Sequence, residues 1–104
     1  MNVKEVSIGT AKQHLDDKSA VFIDIRDKAS FMSGHIPGAL NLSDQNIEEY
    51  IQSADKSQLH IICCYHGHSS MGAASFFQGQ GFEKVFSMTG GFTGWGTTYP
   101  MIKE

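Results

Sequence analysis

Residues 59–72, Leu-His-Ile-Ile-Cys-Cys-Tyr-His-Gly-His-Ser-Ser-Met-Gly, constrain the fold more than any other stretch of the chain. A mostly apolar run reaches two adjacent cysteines, and a polar loop with one glycine follows. A helical pattern then starts at Ser69 or Ser70 and continues through Gly72, Ala73, Ala74, Phe76 and Phe77. The pattern predicts a strand, a tight loop and a helix N-terminus, with the Cys64 thiol at the strand's end. Backbone N–H groups in such a loop have no partners within the helix and point into the loop's mouth. The helix dipole adds positive potential there. A cysteine in that mouth is expected as a thiolate, and a thiolate is a nucleophile. The plain alternative is a buried cysteine closing a core strand. The rest of the chain decides between the two.

The flanking segments alternate between strand and helix. Val3, Val6 and Ile8 suggest a short first strand, and Thr10 is placed to cap a helix running to Asp17. Ala20-Val21-Phe22-Ile23-Asp24-Ile25 reads as a strand buried on both faces. A helical turn at Ala29–Met32 stops at Ser33-Gly34, and Ile36-Pro37-Gly38 is turn chemistry. Ala39–Leu42 is a short strand. Ser43 or Asp44 is placed to cap a helix through Ser53, with Ile47, Tyr50 and Ile51 on one face. Val85–Met88 is a last strand, Gly90-Gly91 a turn, and Phe92–Trp95 the start of a short helix, with Thr97–Glu104 as a surface wrap. Alternation of this kind implies right-handed crossovers and a mainly parallel sheet with helices on both faces. In such sheets the working site lies at the carboxyl ends of the strands, where Cys64 falls.

At 104 residues the chain, residues 1–104, is expected to form one domain. The formal net charge is −3, with eight Lys and Arg of which only Arg26 is an arginine. Without a basic cluster, nucleic acid and anionic membranes are not expected as partners. No apolar run approaches the ~20 residues of a membrane span. The opening Met-Asn-Val-Lys-Glu-Val lacks an apolar signal core, so a cytoplasmic protein is expected. The two cysteines are adjacent, and on a strand their side chains point to opposite faces, which argues against a disulfide between them. Cys63 therefore reads as structural. Cys64, His66 and His68 match no usual zinc spacing, so no metal is expected.

Three segments, in order, resemble the rhodanese (sulfurtransferase) domain family. The first is Asp24-Ile25-Arg26-Asp27, Phe31, Gly34-His35-Ile36-Pro37-Gly38-Ala39 and Asn41-Leu42. The second is Cys64-Tyr65-His66-Gly67-His68-Ser69-Ser70, and the third is Gly90-Gly91-Phe92 with Trp95. The loop followed by Gly72-Ala73-Ala74 looks like that of small single-domain thiosulfate sulfurtransferases. The resemblance implies an α/β, rhodanese-like fold: a central five-stranded parallel sheet with helices on both faces. It also implies ping-pong chemistry through a Cys64 persulfide, with thiosulfate as donor and cyanide or a thiol as acceptor. A thiol protein such as thioredoxin would be one such acceptor. No cofactor is expected beyond that covalent intermediate.

The residues suit the chemistry independently. Negative charge builds beside Cys64 in both half-reactions, and a ring of N–H donors from Tyr65 through Ser70 would hold it without a cation. Gly67 fits a sharply turned backbone. Ser69 and Ser70 bring hydroxyl donors and are placed to cap the next helix. Many rhodaneses carry Arg or Lys in this loop, whereas here His66 and His68 are the only titratable donors. A weaker grip on thiosulfate follows. Asp24, Arg26 and His35 read as structural support: Arg26 lies between Asp24 and Asp27, and His35 precedes a Pro-Gly turn. Trp95 and Phe92 read as packing, as does at least one of Phe76 and Phe77. His14 and His60 read as surface or satisfied strand residues. Two other classes compete with this reading. A Cys-loop phosphatase or arsenate reductase needs an Arg where this chain has Ser70. A non-catalytic module of the family would lack the cysteine. A persulfide carrier delivering sulfur to a partner protein lies between the enzyme and the non-catalytic module.

Overall fold

The structure is a computed structural model and describes residues 3–103. Met1 and Asn2, and Glu104 at the end of the expected wrap, lie outside the described residues. Five strands form one parallel sheet in the order β1-β5-β4-β2-β3. They are β1 (Lys4–Val6), β2 (Val21–Asp24), β3 (Leu40–Asn41), β4 (Leu59–Cys63) and β5 (Lys84–Met88). The helices are α1 (Ile8–Asp17), α2 (Lys28–Ser33), α3 (Ile47–Ser53), α4 (Ser69–Gly79) and α5 (Gly91–Gly96).

The most apolar strands sit in the middle, because only there are both faces covered. Successive side chains then feed two cores. Ile23 and Ile62 join Ile51, Ala74, Phe77 and Phe82 under α3 and α4. Phe22, Ile61 and Cys63 join Ala11, Met88 and Trp95 under α1 and α5. Register pairs Ile23 with Ile62 and Asp24 with Cys63, so β2 and β4 end level with each other. Both open onto the same edge of the sheet as the end of β5.

Two expected caps move. The first helix is capped by Ser7, whose hydroxyl accepts from the Thr10 N–H, so Thr10 is its partner and Ile8 is helical. The third helix starts at Ile47 rather than after Ser43 or Asp44. Asn46 Oδ1 accepts from the Ser43 N–H at 2.7 Å, and the Asn46 and Ile47 N–H groups donate to Ser43 O, so residues 43–46 close into a turn first. The chain's end is tied back: His35 and Ile102 exchange backbone hydrogen bonds of 2.9 and 2.8 Å. None of the described helices is long and apolar enough to cross a membrane.

Candidate active site

β4 delivers Cys63 and Cys64 to the carboxyl edge of the sheet, and strand alternation separates them. Cys63 is buried in the α1/α5 core, and burial pushes its thiol far up. Cys64 is also buried, but its sulfur faces the loop. Sγ accepts from the Gly67 N–H (N···S 3.1 Å) and the Ser70 N–H (3.2 Å), and lies 3.3 Å from Ser70 Oγ. Burial raises the thiol's pKa. The Ser70 hydroxyl and the N–H groups of Ser70, Gly67 and His66 outweigh burial, so the net shift is downward. Of the expected donors from Tyr65 to Ser70, the N–H groups of His66, Gly67 and Ser70 act on the sulfur itself.

The same geometry corrects the roles of the two serines. His68 holds the N-cap position of α4, and no side chain caps that helix. The Ser70 amide, free because it lies in the first turn, is satisfied by Cys64 Sγ. The sulfur does for α4 what a capping side chain would, and the helix end favours its negative charge. Ser69 is exposed. Ser70 is fully buried, and its hydroxyl also meets Ser87 Oγ at 2.6 Å.

A loop that aims N–H groups inward must place carbonyls outward. The outward carbonyls are held by α5: Phe92 N–H donates to Cys64 O (2.7 Å) and Thr93 N–H to Tyr65 O (3.0 Å). Gly91 makes that approach possible. A Cβ there would stand 2.5 Å from the Tyr65 carbonyl carbon and oxygen, and 2.6 Å from Cys64 O. Gly67 turns the loop with φ +96°, as its glycine implied, and a Cβ there would press on Gly90 N at 3.1 Å. His66 and His68 are exposed on the loop.

Tyr65, expected among the substrate-binding groups, turns its side chain elsewhere. Its hydroxyl donates to Asp27 Oδ1 and lies 2.7 Å from Ser30 Oγ, which ties the loop to the start of α2. The Tyr65 hydroxyl, with the Ser30 N–H and hydroxyl, holds the Asp27 carboxyl down at about 2. Asp27 is also the α2 cap, accepting from the Ser30 N–H.

The supporting residues form a separate buried network. Arg26 donates to both carboxylate oxygens of Asp24 at 2.8–3.1 Å and to Gly34 O at 2.6 Å. Its guanidinium lies 4.0 Å from the Phe92 ring centroid. The charge is thus engaged by protein groups, as expected for a buried arginine. Asn41 Nδ2 donates to Asp24 O and Arg26 O, pinning the turn after β2. His35 donates through Nδ1 to Phe31 O at 2.8 Å and stacks on the Phe31 ring. A cleft of about 330 Å³ opens beside the loop between Arg26, Tyr65, Phe92, Ser30 and Met101. A larger cavity, about 670 Å³, lies against Leu15, Val21, Leu40 and Trp95 and touches none of the expected site residues. Among the described residues, no three His, Cys, Asp or Glu side chains gather as a metal would need.

Sequence reasoning missed Ser87 and the packing role of Gly91, and it set Asp27 beside Arg26, whereas Arg26 pairs with Asp24 and the Asp27 carboxylate meets Tyr65 and Ser30. Ser87 had a signal: a hydroxyl inside the apolar run Val85-Phe86-Ser87-Met88. The contacts of Asp27 with Tyr65 and of Gly91 with the loop had none, because they join residues far apart in sequence.

A parallel α/β sheet that presents a thiol in a loop of backbone donors before a helix defines a Cys-loop domain. Residues 7–98 match the Rhodanese-like domain family, and the chain belongs to it. The chain is 48% identical over 99 residues to a thiosulfate sulfurtransferase GlpE of Pseudoalteromonas translucida, covering 95% of this chain and 94% of that one. It is 44% identical to a thiosulfate sulfurtransferase GlpE of Pseudomonas syringae, covering 85% and 83%. Its fold matches a rhodanese-related protein of Thermoplasma volcanium with a TM-score of 0.84 at 20% identity, over 97% and 99% of the chains.

Proposed function

We propose that residues 1–104 act as one domain, a cytoplasmic rhodanese-type sulfurtransferase that takes the outer sulfur of thiosulfate through a persulfide on Cys64. The observation that carries this is Cys64 Sγ seated among the Gly67 and Ser70 N–H groups and the Ser70 hydroxyl. The relatives named as thiosulfate sulfurtransferases support the donor.

In the first half-reaction the Cys64 thiolate attacks the outer sulfur of thiosulfate. The sulfur–sulfur bond of thiosulfate breaks, its electron pair leaves with sulfite, and Cys64 becomes a persulfide. In the second, cyanide or a thiolate attacks the outer sulfur of the persulfide. The electron pair of the broken bond returns to Cys64, and thiocyanate or an acceptor persulfide departs. The acceptor can be small or a protein thiol such as thioredoxin. Preorganised N–H dipoles hold charge at the sulfur before and after each step, so no reorganisation is needed during transfer. A phosphatase reading lacks support, since Ser70 stands where a bidentate arginine would be required.

Mass spectrometry after thiosulfate treatment tests the proposal. One added sulfur on Cys64 is expected in the wild-type chain and in Cys63→Ser, and none in Cys64→Ser. Sulfur on Cys63, or none on either cysteine, would overturn it.

A further inference from the structure

Ser87 sits in β5 with its side chain fully buried, and its Oγ lies 2.6 Å from Ser70 Oγ. Ser70 is itself fully buried and reaches Cys64 Sγ at 3.3 Å. Among the described residues, Ser70 is the only hydrogen-bond partner of the Ser87 hydroxyl. A fold driven by apolar burial has no use for a hydroxyl at that position unless the bond does something, because burying one costs unless it is satisfied.

We propose that Ser87 is a positioning residue for the Cys64 thiolate: its hydroxyl donates to Ser70 Oγ and so commits the Ser70 hydrogen to Cys64 Sγ. Counting hydrogens gives the reason. Three groups in a row offer two links. With a thiol, the row holds three hydrogens, and one has no acceptor. With a thiolate it holds two, and the order Ser87 to Ser70 to sulfur satisfies both. Each link also polarises the next, so the Ser70 hydrogen is a better donor with Ser87 behind it than without. Ser87 never meets the sulfur and acts only through Ser70.

The titratable groups around the thiol do not differ between Ser87 variants. They are Cys63 beside it, Asp24 at the end of β2 and Arg26 just after it, and Tyr65, His66 and His68 in the loop, with Asp27 on the Tyr65 hydroxyl. Helices α4 and α5 carry none, and β5 carries only Lys84, at its far end. A difference between variants therefore reports the hydroxyl.

The inference rests on Cys64 working as a thiolate, and the test separates the two. The rate of iodoacetamide alkylation is followed against pH, with peptide mapping to distinguish Cys64 from Cys63. The wild-type midpoint is expected below the ordinary thiol value of about 8.5. A midpoint at or above that value would overturn the thiolate reading itself. Ser87→Ala is expected to raise the midpoint by about 0.5–1 pH unit, the loss of one net hydrogen bond. That slows alkylation at neutral pH by about 3–10-fold. Ser70→Ala is expected to raise it at least as far, and the double variant no further than Ser70→Ala alone. Where Ser87→Ala folds poorly, Ser87→Thr and Ser87→Val repeat the comparison with matched shapes, and only the Val variant is expected to shift. A low wild-type midpoint that neither Ser87→Ala nor Ser87→Val moves, or a double variant with fully additive shifts, would overturn the role of Ser87.

Discussion

Gly91→Ala tests whether α5 holds the cysteine loop in its donor-inward form. Gly91 adopts φ +58°, a left-handed conformation that costs a residue with a Cβ about 1–2 kcal/mol. Gly90 beside it is also left-handed, at φ +76°, but a Cβ there has nothing within 4 Å. The two glycines therefore share the conformational cost and differ in contact. At Gly91 the new Cβ would stand 2.5 Å from the Tyr65 carbonyl, and both partners are backbone, which cannot rotate away. Ordinary carbon contacts need about 3.5–4.0 Å, so loop and helix must part by about 1 Å. The Phe92–Cys64 and Thr93–Tyr65 hydrogen bonds start at 2.7 and 3.0 Å. Such a shift carries both past bonding distance, at about 0.5–1.5 kcal/mol each.

Urea unfolding is expected to show Gly90→Ala destabilised by about 1–2 kcal/mol and Gly91→Ala by about 2–5 kcal/mol. The larger value is a substantial part of the ~5–15 kcal/mol that holds a domain together. Gly91→Ala is also expected to raise the pH midpoint for Cys64 alkylation, since a freed Tyr65 carbonyl lets the His66 N–H of the same peptide unit turn away from the sulfur. Gly90→Ala should leave that midpoint close to wild type. A difference in stability between the variants of less than about 0.5 kcal/mol would refute the reasoning, because the steric term would then be absent.

Tyr65→Phe removes the principal hydrogen bond on the Asp27 carboxylate, so the Asp27 pKa is expected to rise from about 2 toward its ordinary 3.8, read by NMR titration. A depressed carboxyl pKa adds stability above the unfolded value and loses it as pH falls through the folded value, so wild type and variant should diverge only above that acid window. Tyr50→Phe is expected to cost about 1–3 kcal/mol in urea unfolding, because fully buried His60 donates through Nδ1 to Gln58 O and its Nε2 loses its hydroxyl donor. Burial lowers the His60 pKa, so the wild-type chain should lose stability as pH falls below about 6.5, the unfolded value. Met71→Arg, in the first turn of α4, is expected to lower the KM for thiosulfate, with the gain shrinking at high salt; an unchanged KM at low salt would show that residue 71 faces away from the mouth.

The centre of the sheet was legible in the sequence because its inner strands are short, mostly apolar runs with no competing helical period. Leu59–Cys63 and Val21–Asp24 are examples, and their alternation with amphipathic segments leaves few topologies. The place of Cys64 followed from the same alternation. The helix starts were less legible. Ser7, Thr10, Ser43, Asp44 and Asn46 are all competent caps, and which one wins depends on tertiary geometry. Loop composition also suggested more than it fixed. Tyr65 and Ser70 both carry hydroxyls beside the nucleophile, yet one bonds to α2 and the other reaches the sulfur. No local rule separates them, because their partners Asp27 and Ser87 come from distant strands and turns.

The distribution of charge explains why the site needs those distant parts. The one arginine of the chain is engaged by Asp24, Gly34 O and the Phe92 face, and the loop itself has no Lys or Arg. Without a fixed cation, the anionic sulfur depends on neutral dipoles, and a neutral donor is worth about 0.5–1.5 kcal/mol against about 1.5–3 for charged ones. Several must therefore converge, and convergence fails if any peptide unit flips. A peptide flips only if both its ends are free. Here α5 fastens the carbonyls of Cys64 and Tyr65, Gly67 supplies the turn that small donors need, and Ser87 backs the one hydroxyl. Removal of any of these supports should weaken the thiolate more than it weakens the fold, with Gly91 the exception because its contact serves both.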